Sequence, residues 1–324
     1  MMTLRTGLHA VLSALTLCVA CTVAAQTYPA KPVRVVIPWP PGGANDIAGR
    51  IVMQKVAEAM GQQFPIDNRG GAGGTIGSDV VAKAAPDGYT LMAHSTTHVG
   101  NAHLYKKLPY DTLGDFAPVG LLTVQSAVLT IHPSLPAKSV REFVALARAR
   151  PGEILYSSAG NGSIPHLGMA LLASMTKTQM THVPYKGGAP QVIALVAGES
   201  QASIATVASV VQHIRAGRLR ALGLSAVRRS SALPDVPTIA EAGVPGYDMS
   251  PWIAVFAPAS TPRAIIERLN TEINRALKLP DVAQNLSTQG LDPWPSTPEE
   301  FAVRLKADYE KYGQLIKLTG AKID

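Results

Sequence analysis

The chain has little from which to build a covalent or heavily charged framework. Of its 324 residues only two are cysteines, Cys18 and Cys21, and both fall in the first apolar stretch, "LHAVLSALTLCVACTVAA". The remainder therefore offers no disulfide framework, no thiol nucleophile and no cysteine-ligated metal. Aromatics make up 5% and charged residues 16%, too few for a helical scaffold laced with ion pairs. The formal net charge is +7, yet no basic run is longer than a pair such as Lys106-Lys107 or Arg228-Arg229, so the electrostatic stripe of a nucleic-acid binder is missing. After the first stretch no apolar run approaches the roughly 20 residues of a membrane span. What is plentiful is ordinary core material: a hydrophobic share of 47% in a chain of this length suffices for two domains or one large one, and excludes disorder.

Arg5 precedes the first apolar stretch, and small Val23 and Ala25 stand before Gln26, as in a cleavable export signal. A signal peptide is expected over 1–25, with the mature chain soluble outside the cytoplasm. Cys21 offers a lipid-anchored alternative, but Cys18 sits where a lipoprotein signal has leucine.

Beyond the leader, strands alternate with single helices. The β-branched run "PVRVVIPW" is followed by "NDIAGRIVMQKVAEAMG", in which Ile47, Ile51, Val52, Val56 and Met60 share one face at helical spacing,. Next come a strand "QFPIDNR", a glycine loop and helix closed by Pro86-Asp87-Gly88, and a strand from Tyr89 to Ala93,. A second such series runs from "SVREFVALARARPG" to "RLRALGLSA", and two helices, Pro262 to Leu277 and Pro298 to Leu318, close the chain. The pattern predicts an α/β fold with parallel or mixed sheets. Two long extended runs, Val119 to Ile131 and Ser250 to Ala257, are expected to be crossover strands between two lobes, the outer one assembled from both chain ends.

Three segments share one grammar of apolar strand, small-residue loop and helix start: "PPGGAND", "SSAGNGSIP" and "YKGGAP". A helix start carries unpaired N–H groups and partial positive charge, so glycines that admit a ligand to the backbone make an anion site. In an α/β sheet such loops lie at the carboxyl ends of strands, the usual place for ligands. Enzyme readings fare worse. "GGAGGTIG" does not complete G-x-G-x-x-G and lacks the Lys-Ser/Thr of a phosphate loop,. "GLSAV" lacks the second glycine of a nucleophile elbow,. Ser163 and His166 sit where a cap and a packed side chain are expected rather than a triad. His94, His98 and His103 stand without a carboxylate among them, so polar side chains reading a ligand are expected there rather than a metal site.

The ordered segments "IPWPPGGANDIAGR", "NRGGAGGTIGSDVVAKAAPDGYTL", "THVGNAHLYKKLPYD", "YSSAGNGSIPHL", "HVPYKGGAPQ" and "WIAVFAPASTP" together resemble the extracytoplasmic solute-binding proteins of tripartite tricarboxylate transporters, the Bug or TctC-like receptors. The resemblance implies a two-lobed periplasmic-binding-protein fold of the Venus flytrap, type II-like kind, with lobes at 26–124 plus 250–324 and at 125–249. It also implies a periplasmic monomer that uses no cofactor or metal, captures a small mono-, di- or tricarboxylate in the interlobe cleft and delivers it to an inner-membrane permease. By matching segments, the outer wall carries Trp39, Pro41, Gly42, Gly43, Ala44, Asn45 and Asp46 with Ser95, Thr96 and Thr97. The opposing wall carries Ser158, Ala159, Gly160, Asn161, Gly162, Ser163 and His166 with Tyr185, Lys186 and Gly187, and Ala205 and Thr206 follow. In such receptors the carboxylate is held largely by backbone amides and ordered water. The family often has an acidic residue where this chain has Ala205, which implies a ligand without an α-amino group. The competing expectation is a secreted serine hydrolase using Ser163 and His166.

Overall fold

The strand Arg34–Ile37 (β1) opens the first of two sheets because Val35, Val36 and Ile37 are apolar, β-branched and fully buried,. The computed structural model describes residues 28–185 and 187–321; the expected signal peptide and Lys186 lie outside them. Helix Ala44–Met60 (α1) follows, packs Val52, Met53 and Val56 onto the sheet, and stops at left-handed Gly61,. Strand Ile66–Asn68 (β2), helix Thr75–Ala82 (α2) and strand Thr90–Ser95 (β3) continue the rhythm, with β2 and β3 parallel to β1 on either side. Helix Thr97–Leu104 (α3) starts directly off the end of β3.

Strand Phe116–Gln125 (β4) belongs to this first sheet, and after the single residue Ser126 strand Ala127–Ile131 (β5) begins the second. The second sheet is assembled from one continuous stretch. Helix Val140–Ala149 (α4), strand Leu155–Ser158 (β6), helix Ile164–Thr176 (α5), strand Thr181–Pro184 (β7), helix Gly188–Ala197 (α6), strand Ala202–Thr206 (β8), helix Val207–Arg215 (α7) and strand Arg220–Leu224 (β9) give the order β7-β6-β8-β5-β9. Strand Trp252–Pro258 (β10) then returns to the first sheet, followed by helices Arg263–Leu277 (α8) and Pro280–Thr288 (α9), strand Leu291–Pro293 (β11) and helix Pro298–Thr319 (α10). The first sheet reads β11-β4-β10-β3-β1-β2. Two mixed sheets with their helices form the two lobes of an α/β fold.

The structure corrects one crossover. Val119 to Ile131 does span both sheets, but the run at Ser250 to Ala257 does not, because β10 pairs antiparallel with β3 and β4 and lies wholly in the first sheet. All seven of its residues are buried. Trp252, Ala254 and Phe256 join one core cluster while Ile253, Val255 and Ala257 join another, so the strand is apolar on both faces and reads as an unbroken hydrophobic run. Each large side chain buried in this way contributes about 1.5–3 kcal/mol. The chain returns instead through the irregular stretch between Leu224 and Trp252.

Both passages between sheets are tied to β11. Asp292 accepts hydrogen bonds from Ser126 Oγ at 2.8 Å, Ser230 Oγ at 3.0 Å and Ser231 Oγ at 2.6 Å. Helix α10, opened by a capping box of Thr297 and Glu300,, packs on α3 and β4 and reaches α5 of the second lobe. Buried Asp308 on this helix accepts from Trp252 Nε1 at 2.8 Å and pairs with Arg304 and Lys311.

Candidate functional site

The loop after β1 is rigidified from beneath. Pro41, Gly42 and Gly43 are exposed, and Ala44 and Asn45 half-buried. Asp46 is only 3% exposed, and its carboxylate accepts from Gly42 N at 2.9 Å, Arg50 Nε at 2.9 Å and Asn68 Nδ2 at 3.0 Å. Burial works to raise its pKa, but the bonds from Arg50, Gly42 and Asn68 together hold it below the ordinary carboxylate value,. The charge of Asp46 is thus spent on shaping the turn.

Trp39, the first residue of this loop, donates its indole N–H to His94 Nδ1 at 3.3 Å, and Ser95 N donates to the same nitrogen at 2.8 Å. His94, at the end of β3, is fully buried. Gly74 lies against its other face with φ +95, and a Cβ there would stand 2.8 Å from His94 Nε2, so only glycine fits. Ser95 Oγ and Thr97 Oγ1 hydrogen-bond at 3.1 Å, and Thr96 is buried. The three histidines of this region bond within the first lobe. His98 is buried with Nε2 donating to Thr112 O at 3.1 Å, and His103 Nε2 lies 2.9 Å from Tyr309 O. Among the described residues no group of three or more His, Cys, Asp or Glu is placed to hold a metal.

On the second lobe, the turn after β6 is closed on itself and braced from behind. Gly160 N donates to Ser158 Oγ at 3.1 Å, Ser163 Oγ donates to Gly160 O at 2.6 Å, and Gly162 N donates to His166 Nδ1 at 3.0 Å. His182 on β7 stacks on His166, ring centroids 4.1 Å apart, and its Nε2 lies 2.6 Å from Ser158 Oγ. Burial, and then the neighbouring His182, push His166 down to about 4. The two rings border a groove of 680 Å³ behind the turn, with Leu318 and Thr319 of α10 on its far side. Ser163 and His166 share no hydrogen bond, each being satisfied by the turn backbone, so the paired nucleophile and base of a hydrolase are not formed. Tyr185 N donates to Ser158 O at 2.9 Å, and Gly187 with φ 109 precedes α6.

Ala205 is 2% exposed and packs with Val128, Val192 and Leu195 in the apolar layer of α6 and α7, away from the cavity described next; an acidic residue there would enter a core. Thr206 Oγ1 donates to Ser209 Oγ at 3.0 Å at the start of α7.

A cavity of 240 Å³ lies between the lobes, along one face of α3 and at the start of α5. Thr97, Asn101 and Leu104 approach from one side, Asn161, Gly162 and Ser163 from the other, and none of the residues lining it is charged. The structure therefore brings Thr97 together with Asn161, Gly162 and Ser163, and leaves Trp39 to Asp46, Ser95, Thr96, Ser158 to Gly160, His166, Tyr185 and Gly187 outside this lining. It adds Gly73, Gly100, Asn101, Leu104, Ile164, Leu167 and Tyr312, which sequence reasoning missed. Asn101 and Leu104 follow Thr97 at helical spacing and were legible in principle; Tyr312 comes from α10, and no local pattern points to it. The lobes touch here: a Cβ at Gly162 would lie 3.3 Å from Leu104. Another hollow, of 690 Å³, runs along α1 and β2 from Arg50 to Ile66, and none of the predicted site residues lines it.

This arrangement has counterparts. The profile described as "Tripartite tricarboxylate transporter family receptor" matches residues 48–321. "Protein BugT" of Bordetella pertussis is 38% identical over 308 residues, covering 94% of each chain. Among solved structures, R. palustris Rpa4515 with adipate is 34% identical with a TM-score of 0.72, covering 91% of this chain and 100% of that one. MatC from Rhodopseudomonas palustris with bound malate is 33% identical with a TM-score of 0.67, covering 89% and 100%. With the match spanning both lobes and both walls of the cavity, the chain belongs to the tripartite tricarboxylate transporter receptors, a family of solute-binding proteins.

Proposed function

We propose that this receptor captures a small carboxylate in the cleft between its lobes and delivers it to an inner-membrane permease, acting in the periplasm as a monomer after removal of residues 1–25, and catalysing no reaction. One observation carries the reading: one face of α3 from the first lobe and the glycine turn and start of α5 from the second line a single cavity that has no charged lining side chain. The start of α5 brings its partial positive charge to this cavity, which favours an anion without fixing a particular partner for it,. The adipate and malate of the related receptors belong to the ligand class such a site accepts.

In this reading the outer lobe comprises 26–124 and 250–324 and the inner lobe 125–249. The ligand touches Thr97, Ser95 and the Asn161–Ser163 turn, and the Trp39–Asp46 loop and the Tyr185–Gly187 turn close over it. The test is thermal melting against a panel of mono-, di- and tricarboxylic acids, backed by mass spectrometry of the undialysed protein. A native-state ligand raises the midpoint with its concentration. Stabilisation by a carboxylate that is recovered unchanged is the expected result. Stabilisation only by neutral or cationic solutes, or consumption of the acid, would overturn the reading.

A further inference from the structure

In each lobe, the loop that the carboxylate reading places on the cleft wall is braced by a histidine nitrogen that accepts from a group able only to donate. On the outer lobe, His94 Nδ1 accepts from Ser95 N at 2.8 Å and from the Trp39 indole at 3.3 Å, joining the two loops that follow β1 and β3. On the inner lobe, His166 Nδ1 accepts from Gly162 N at 3.0 Å, in the middle of the turn that lines the cavity. A backbone or indole N–H has no lone pair to offer, so both Nδ1 atoms are unprotonated and both rings carry their hydrogen on Nε2. For His94 that hydrogen is sealed in, Nε2 being buried without a partner beneath Gly74. We propose that His94 and His166 are positioning residues of the ligand site, each fixing one wall through an Nδ1 that must stay unprotonated. The proposal rests on the carboxylate reading for what the walls hold and for placing the Trp39 and Ser95 loops on one of them.

A second proton on either ring lands on Nδ1 and displaces the N–H groups it anchors, freeing Trp39 and Ser95 on one side or Gly162 on the other. The surroundings oppose that proton. His94 faces His98 of α3, Trp39 of the β1 loop and Gly74, with no carboxylate among these contacts. His166 faces His182 of β7 in parallel stacking, Tyr156 of β6 lies beyond it, and Lys177, Leu318 and Thr319 border the shared groove. Burial drives the His94 ring well below its ordinary value, with His98 adding to the effect, and takes His166 to about 4. Capture therefore persists across neutral and mildly acid conditions and fails when the rings titrate.

The test has one arm without ligand and one with it. In nitrogen-labelled protein, amide and indole spectra are followed from about pH 7.5 to about pH 3.5 alongside the histidine ring signals. The Gly162 amide is expected to move with the His166 ring, and the Trp39 indole and Ser95 amide with the His94 ring. Resonances that stay put while those rings titrate would overturn the proposal. In the second arm, calorimetry with adipate and with malate compares His166→Asn, whose Oδ1 replaces the acceptor but does not titrate, with His166→Leu, which has no acceptor. The Asn variant is expected to bind about tenfold more tightly than the Leu variant, and to show a shallower acid limb than wild type, the remainder belonging to His94 and to protonation of the acids themselves. Equal affinities in the two variants would overturn the role of His166. If neither acid binds wild type, the carboxylate reading falls for those acids while the spectra still decide the positioning.

Discussion

Trp252 and Asp308, 56 residues apart, are joined by an indole N–H donated to a carboxylate over 2.8 Å in the interior of the first lobe. The same carboxylate pairs with Arg304 and Lys311, and Arg304 pairs in turn with Asp248 in the segment leading back from the second lobe. Asp308→Ala leaves two half-buried cations and a buried indole N–H without their acceptor. Breaking a buried pair by removing one partner costs about 3–5 kcal/mol, and because Arg304 keeps Asp248 the lower end is expected. Urea denaturation checks this; a loss below about 1 kcal/mol would show the network to be dispensable.

Gly43 and Gly162 separate charge from strain. Gly43 has φ −82 as the residue before α1, and the only atom near an added Cβ is Pro40 O at 3.8 Å. Aspartate suits such a helix start, so Gly43→Asp is expected to change stability by no more than about 0.5 kcal/mol, while its charge weakens carboxylate binding. Gly162 has φ +73 with Leu104 at 3.3 Å, so Gly162→Asp is expected to abolish binding and also to cost about 1 kcal/mol or more. Calorimetry and melting on both variants decide the matter. Undiminished affinity in Gly43→Asp would remove the first loop from the site.

Buried histidines set an acid limit on stability. His98 and His166 are each held to about 4, His94 well below its ordinary 6.5 and His182 below it as well, burial being the first cause for all four. Between the unfolded and folded values the unfolded chain binds more protons, so stability rises with pH there. It is complete above about 6.5 and declines as pH falls toward 4. Urea midpoints through this window are expected to drop steadily; a flat profile would mean the rings are solvated.

The Asp292 staple marks where the lobes bend. Its carboxylate gathers Ser126, Ser230 and Ser231 from the two passages between sheets, so closure is expected to rotate the lobes about this point and leave it intact. Small-angle scattering is expected to show compaction when ligand is added to wild type. In Asp292→Ala, measured without ligand, the spread of separations is expected to widen. An unchanged radius with binding confirmed in the same sample would exclude the bend.

The sequence carried the parts of this fold that local chemistry dictates. The stripe of Val52, Val56 and Met60 and the stop at Gly61 specify α1, and small-residue loops before Ala44, Ile164 and Gly188 do begin helices. The misplaced crossover at β10 had a physical cause: a strand buried on both faces and a strand passing between lobes present the same apolar run. His94 and His166 were visible as residues, but their acceptor roles depend on Trp39 and Gly162 being folded back onto them. Tyr312 reaches the cavity only because α10 lies across both lobes, a relation no spacing encodes.

The position of β10 also orders events in time. It occupies the middle of the first sheet, between β4 and β3, yet it is made after the whole of the second. The second sheet closes from residues 127–224, whereas the first requires partners drawn from opposite ends of the chain, and such distant pairings form slowly. A nascent or refolding chain therefore holds a finished inner lobe beside an unfinished outer one. In pulsed hydrogen exchange, amides of β5 and β8 are expected to gain protection before those of β3 and β4, and simultaneous protection would contradict this sequence.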